Sequence, residues 1–270
     1  MEPSPPFPSP ASSPSASPLL RLENISLSFR GVRAISDISF QVERGEICGL
    51  IGPNGAGKSS LLNVINGVYT PQHGAVTFEG VRRGHMHPRR AAQAGIARTF
   101  QNIALFRGMT VVQNLMAGGH IGRRAGLLRQ LAGTPLARRE EAAAHARAEE
   151  VMRFLHIQRH RDDEVGRLPY GLQKRVELGR ALVSRPKLLL LDEPMAGMTF
   201  AEKEEMGTFI LDVNDALHTT VVLIEHDMGV VMELCDHLVV LDYGRKIADG
   251  PPAEIRESRE VVDAYLGVAA

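Results

Sequence analysis

Cysteine is almost missing from this 270-residue sequence: only Cys48 and Cys235 are present, each inside an apolar segment. They read as two buried, reduced thiols of a cytosolic protein rather than as a disulfide or a metal pair. An excess of charge of one sign is also missing. Lys+Arg and Asp+Glu both number 31, the formal net charge is zero, and no basic stripe stands out. This argues against duplex nucleic acid as the main partner. Long apolar runs are missing too, and none approaches the roughly 18–20 residues needed to span a bilayer. The longest, in "PKLLLLDEP" and "TTVVLIEH", have the length of buried strands. The chain is therefore not expected to cross a membrane itself, though it can sit against one. The opening "MEPSPPFPSPASSPSASP" lacks the basic start and apolar centre of a secretory signal. Rich in Pro and Ser with one charge, residues 1–18 cannot bury enough surface to offset chain entropy, so they are expected to be disordered.

What is present has ordinary globular composition, 44% hydrophobic and 23% charged, enough for a sizeable core in one large α/β domain or two small ones. From Leu19 onward, apolar residues recur at Leu22, Ile25, Leu27 and Phe29, then at Ile35, Ile38, Phe40 and Val42. They predict two antiparallel strands with a turn at "RGVR". "VTFEG", "IARTF", "KLLLLDE", "TVVLIE" and "HLVVLD" read as further strands, and "FAEKEEMGTFILDVNDAL" and "MGVVMELC" as helices. Between them, from about residue 102 to 185, the chain turns helical, most clearly in "REEAAAHARAEEVMRFL". Its charges read as a solvated helix face. Strand–helix alternation on both sides of a helical block predicts one α/β unit, 19–270, carrying a helical insertion.

The sharpest chemical signal is "GPNGAGKSS", comprising Gly52, Pro53, Asn54, Gly55, Ala56, Gly57, Lys58, Ser59 and Ser60. It follows an apolar strand and opens a helix, which is the context of a phosphate-binding P-loop. Glycines let the backbone wrap a phosphate, and the freed N–H groups and the helix dipole favour an anion. Lys58 would reach the β- and γ-phosphates, and the Ser59 hydroxyl would bind Mg²⁺. About 130 residues downstream, a buried strand ends in Asp192 and Glu193. Consecutive side chains point to opposite faces of a strand, which suits Asp192 to the metal, directly or through water, and Glu193 to orienting the attacking water as its base. His226, read as closing the strand "TVVLIEH", is a candidate γ-phosphate contact, and Gln101 stands at the exit of another strand. His85 and His87 in "RRGHMHPRR" read as a solvated loop, because no matching ligand cluster accompanies them.

In "RLPYGLQKRVELGRAL", Gly171 opens an amphipathic helix. Together, "GPNGAGKSS", Gln101, the Gly171 segment, "LLLLDEP" and His226 resemble, in order and spacing, the ATP-binding cassette family. The match covers essentially residues 19–270. The resemblance implies a P-loop NTPase fold with a RecA-like core, an antiparallel β subdomain and a helical subdomain. It implies ATP and Mg²⁺ as ligands, with Phe29 stacking on adenine; a core position for Phe29 is the alternative. Gln101 would ligate the metal or water and couple the site to a membrane partner, and His226 would be the switch histidine. Two cassettes would pair head to tail, each nucleotide lying between one P-loop and the Gly171 helix of the other chain.

"ARTFQNIALFRGMTVVQNLMAG", "IEHDM", "AYLG" and the Tyr-Gly pair of the Gly171 segment resemble the ATPase subunits of branched-chain amino-acid importers. That implies transmembrane permease subunits, an indirectly coupled solute-binding protein, no nucleic acid, and a peripheral place on the cytoplasmic side of the inner membrane. Related cassettes serve urea, amide and lipopolysaccharide transport. A non-transport cassette protein and a weakly active regulatory subunit also stay open. The departures from the family pattern are Pro169 where a Ser is usual, Leu172 where a Gln is usual, and Thr199 where an Asp is frequent. Proline suits the opening of a helix, and Thr199 with Glu202 has the spacing of a capping box.

Overall fold

Strands β1 (Leu20–Phe29) and β2 (Val32–Val42) pair antiparallel around the turn at Arg30 and Gly31. Leu22 and Ile25 are both buried although they lie three residues apart, which strict alternation forbids. Register shifts follow Leu22 and Ile25, and Asn24 (φ 53°) and Asp37 (φ 55°) take left-handed backbone there. Each is a bulge that absorbs an extra residue and restores the inward face. The Asn24 Nδ2 donates to Asp37 Oδ1 at 2.8 Å, tying the two irregular positions together.

The structure is a computed structural model that describes residues 17–119 and 134–266. The segment expected to be disordered lies outside these except for Ser17 and Pro18, as does 120–133 within the expected helical insertion. β1 and β2 continue into a four-stranded antiparallel sheet of order β2-β1-β4-β5, with β4 at His73–Phe78 and β5 at Val81–Arg83.

The second sheet has six strands. They are β3 (Ile47–Ile51), β6 (Ile96–Arg98), β7 (Leu188–Asp192), β8 (Thr220–Ile224), β9 (His237–Asp242) and β10 (Arg245–Gly250), in the order β10-β9-β3-β8-β7-β6. All neighbours are parallel except β10, which runs antiparallel to β9. Every residue of β3, β7 and β8 is buried, the pattern required when both faces of a parallel sheet are covered. Alternate side chains serve two cores. Ile47, Ile51, Leu189, Leu191, Val221 and Leu223 join the helical side. Cys48, Leu50, Leu188, Leu190, Val222 and Ile224 join the side of the antiparallel sheet.

Among the described residues the α-helices are α1 (Lys58–Ile65), α2 (Pro88–Ala94), α3 (Val111–Gly118), α4 (Pro135–Phe154), α5 (Tyr170–Leu182), α6 (Phe200–Leu217), α7 (Met228–Leu234), α8 (Pro252–Glu257) and α9 (Arg259–Leu266). Helix α4 turns Ala144, Ala148, Val151 and Met152 into the core and places Glu149 and Glu150 against Arg161 and Arg185. Helix α6 opens with the expected capping box, both bonds between Thr199 and Glu202 being present. Thr199 is therefore spent on the helix start. Among the described residues no helix is long and apolar enough to cross a membrane.

Candidate functional site

Because β3, β6, β7 and β8 are parallel, their carboxyl ends lie at one edge of the sheet, where ligands of open α/β sheets bind. Each exit delivers one part of the expected site: β3 the P-loop, β6 Gln101, β7 Glu193 and β8 His226. His226 lies two residues beyond the end of its strand rather than closing it.

The P-loop needs its glycines for two different reasons. Gly52 (φ 141°) passes so close to β9 that an added Cβ would stand 2.0 Å from the Leu241 carbonyl oxygen. Gly57 (φ 101°) is the left-handed N-cap of α1 and makes no side-chain cap, which leaves the first N–H groups of the helix to a ligand. Lys58 is buried, and its Nζ donates to the carbonyls of Gly52 at 2.6 Å and Pro53 at 2.9 Å. Burial pulls the Lys58 pKa down, and the carboxylates of Glu193 and Asp192 push it back up. Asn54, Gly55 and Ser59 are exposed, Pro53 and Ser60 half-buried, and Ala56 buried.

Glu193 sits at φ +50°, a left-handed backbone that costs a non-glycine residue about 1–3 kcal/mol. Its N–H donates to the Ile224 carbonyl at 2.9 Å, which holds the turn. The carboxylate is gripped from both sides. Gln101 Nε2 donates to Oε2 at 2.8 Å, and His226 Nε2 lies 2.7 Å from Oε1. Three of the expected site residues thus form one hydrogen-bonded unit. Asp192 faces elsewhere, as alternation requires: its Oδ2 accepts from Arg98 Nη2 at 2.7 Å in a pair with both side chains only 6% exposed.

Magnesium fits these residues. Oδ1 of Asp192 is buried with no hydrogen-bond partner, which is costly for a carboxylate oxygen unless a cation or donor meets it. Hard oxygen donors from Asp192, Ser59 and the Gln101 amide are the chemistry this ion takes.

Phe29 is 41% exposed and packs edge-on against Tyr69 with ring centroids 5.0 Å apart. The core alternative for Phe29 is excluded. Gly171 is the second residue of α5 and is buried; the atoms nearest its missing Cβ belong to Glu202, not to the P-loop. Pro169 is the N-cap of α5 and offers it no side-chain acceptor. The neighbouring Tyr170 donates its hydroxyl to the Ala196 carbonyl at 3.1 Å, fixing the start of α5 to the loop after Glu193. His87 caps α2, and His85 Nδ1 lies 2.6 Å from the Thr70 hydroxyl.

Sequence reasoning missed the residues that hold this edge together. Buried Glu225 accepts from the N–H groups of Met195 and His226 at 2.9 and 3.2 Å, linking the loops after β7 and β8. Burial raises its pKa, and those two N–H groups act against the rise. On α5, Lys174 and Glu177 form a buried pair at 3.6 Å, each 2% exposed. Lys174 donates to the Gln101 carbonyl at 3.1 Å, and Glu177 accepts from the N–H groups of Phe100 and Ala104 at 3.5 and 3.3 Å. Helix α5 therefore clips the Gln101 loop by its backbone. A charged residue inside a segment otherwise committed to the core, such as Arg98 in "GIARTF", is the available sequence signal for such roles.

The model of the ABC transporter family matches residues 35–196, and that of the branched-chain amino acid ATP-binding cassette transporter matches residues 245–270. The chain is 36% identical over 252 residues to the high-affinity branched-chain amino acid transport ATP-binding protein BraF of Pseudomonas aeruginosa, a match covering 93% of this chain and 99% of that one. It is 37% identical, with the same coverage, to the high-affinity branched-chain amino acid transport ATP-binding protein LivG of Salmonella typhimurium. Among solved structures, the ADP conformation of an ATP-binding cassette of an ABC transporter superposes with a TM-score of 0.81 at 33% identity, covering 93% of this chain and 100% of that one.

Proposed function

The chain belongs to the ATP-binding cassette transporter family, and from that premise we propose that it is the ATP-hydrolysing subunit of a branched-chain amino-acid importer. It acts at the cytoplasmic face of the inner membrane, with transmembrane permease subunits, a second cassette, and a solute-binding protein that acts through the permease. The observation that carries the hydrolytic reading is the Glu193 carboxylate held between Gln101 and His226 beside the P-loop.

ATP binds with its phosphates on the N–H groups of residues 54–60 and its adenine on the exposed face of Phe29. Lys58 exchanges the Gly52 and Pro53 carbonyls for phosphate oxygens, whose negative charge offsets the burial that lowers its pKa. Glu193 orients the attacking water and takes up its proton; His226 and Gln101 keep the carboxylate in place. Ser59, Asp192 and Gln101 would hold magnesium, which would supply positive charge to the phosphates. The N-terminus of the partner cassette's α5, at Gly171, closes over the γ-phosphate. Because α5 also grips the Gln101 loop, closure and release of that helix pass to the permease through the same loop.

The test is reconstitution of the chain with its co-purifying membrane subunits in vesicles. ATP-dependent uptake of labelled leucine, isoleucine or valine is expected. Uptake of urea or amides instead would move the cargo, and an ATPase that never copurifies with a permease would overturn the transport reading.

A further inference from the structure

Arg98 ends β6 three residues before Gln101, and its guanidinium joins two elements of the site. Nη2 donates to Asp192 Oδ2 at 2.7 Å, and Nη1 donates to Asn63 Oδ1 on α1 at 2.5 Å. The helix that starts at the P-loop is thereby tied to the strand that carries Asp192. The Nε and Nη2 edge of a guanidinium can take both oxygens of a carboxylate, yet here only Nη2 does so. Arg98 Nε and Asp192 Oδ1 are both buried without a hydrogen-bond partner. A pair built for stability alone would close both, because each orphaned polar group costs free energy. The charges around it balance as well. Asp192 is matched by Arg98, Glu193 has both oxygens occupied, and Lys58 feels both carboxylates.

We propose that Arg98 is a positioning residue for the divalent cation. It holds Oδ2 of Asp192, leaves Oδ1 as the single oxygen offered to the metal, and cancels the carboxylate's charge so that the cation binds only together with a nucleotide. The phosphates, not the protein, supply the net negative charge that draws the ion in. This rests on the nucleotide reading of the site.

Two measurements test it, neither of which needs turnover. In the first, Mn²⁺ alone is titrated into the nucleotide-free protein and followed by electron paramagnetic resonance. The wild type is expected to show no tight site. Arg98→Met, which leaves the buried carboxylate uncompensated, is expected to gain one, and adding Asp192→Asn is expected to remove it again. In the second, ADP affinity is measured with and without Mg²⁺. Arg98→Lys keeps the charge and the fold but cannot span Asn63 and Asp192 together. It should reduce the Mg²⁺-dependent gain in ADP affinity by about tenfold or more, the usual cost of losing a residue that orients a metal ligand.

A wild type that binds Mn²⁺ tightly without nucleotide overturns the inference. So does a folded Arg98→Met protein with no new site, or an Arg98→Lys protein with the full Mg²⁺ gain. If Arg98→Met does not fold, the wild-type and Arg98→Lys measurements decide alone. ADP affinity indifferent to Mg²⁺ in the wild type also overturns the inference, whereas a wild type that binds no ADP at all would instead overturn the nucleotide reading itself.

Discussion

Replacing Glu177 with alanine breaks the clip between α5 and the Gln101 loop, and the structure sets the size of the effect. Glu177 and Lys174 are each 2% exposed and 3.6 Å apart. Burial raises the Glu177 pKa, while Lys174 and the N–H groups of Ala104 and Phe100 pull it down. Removing the carboxylate strands a buried ammonium whose remaining partners are the Gln101 carbonyl and the face of the Tyr170 ring, and breaking such a pair costs about 3–5 kcal/mol. The two N–H contacts, at 3.5 and 3.3 Å, are long, so their share is about 1 kcal/mol each at most. Glu177→Gln keeps an acceptor for them and should cost about 2 kcal/mol less than the alanine variant. Hydrogen exchange provides the assay. The amides of Phe100 and Ala104 should exchange about tenfold faster for each 1.4 kcal/mol lost locally, in step with a lower urea midpoint. The kcat for ATP should fall more than KM rises, because the loop presents Gln101 to Glu193 rather than binding adenine. An alanine variant that loses less than about 1 kcal/mol, or leaves those two amides as protected as before, would refute the clip.

Phe29→Ala should raise the KM for ATP about tenfold with little change in kcat, since base–aromatic stacking is worth about 1–3 kcal/mol; an unchanged KM in steady-state kinetics would count against the adenine platform. Pro169→Ser places a hydroxyl at the N-cap of α5, where none is offered now. It should stabilise that helix by about 0.5–1 kcal/mol in thermal melts, and it should raise turnover if the hydroxyl also reaches a γ-phosphate across the dimer. A protein with neither gain would show that the proline costs nothing. His237 is held by Asp249, Cys48 and Glu46, which push its pKa from 6.5 up to about 12. A raised pKa means the folded state holds the proton more tightly, so this stability is complete below pH 6.5 and drains away as pH climbs towards 12. The melting-temperature gap between wild type and His237→Asn should therefore narrow steadily from neutral pH to about pH 10, and a constant gap would contradict the charged histidine.

Much of the architecture was legible because local patterns carried it. The predicted helix "FAEKEEMGTFILDVNDAL" coincides with α6, and the apolar runs at 188–192 and 220–224 are central parallel strands. The P-loop could be read because backbone geometry, strand context and Lys-Ser chemistry coincide in one short segment. Other features depend on contacts that no periodicity encodes. The apolar run from Leu22 to Phe29 was read as a plain strand; the bulge that lets Leu22 and Ile25 both face inward is set by the pairing with β2. Phe29 continues the apolar pattern of its strand yet ends exposed beside Tyr69, because the strand runs out at the turn. Arg98, Lys174, Glu177 and Glu225 appear in sequence only as charges in segments bound for the core. Their hydrogen-bond partners lie 30 to 94 residues away in the chain, apart from the link between Glu225 and His226. Pro169 was legible as a helix-opening residue, but its position at the N-cap emerged only with the backbone of α5.

In the proposed function, Glu193 turns a nucleotide-binding edge into a hydrolytic one. Phosphate release by purified wild-type protein and by Glu193→Gln, measured with ATP affinity on the same samples, tests it most directly. The amide can still bond to Gln101 and His226 but cannot take up a proton. Release should fall by about 10²- to 10⁴-fold while ATP affinity stays within about twofold, since the proposed phosphate contacts are the P-loop backbone and Lys58. Near-normal phosphate release by the Glu193→Gln protein would contradict the account.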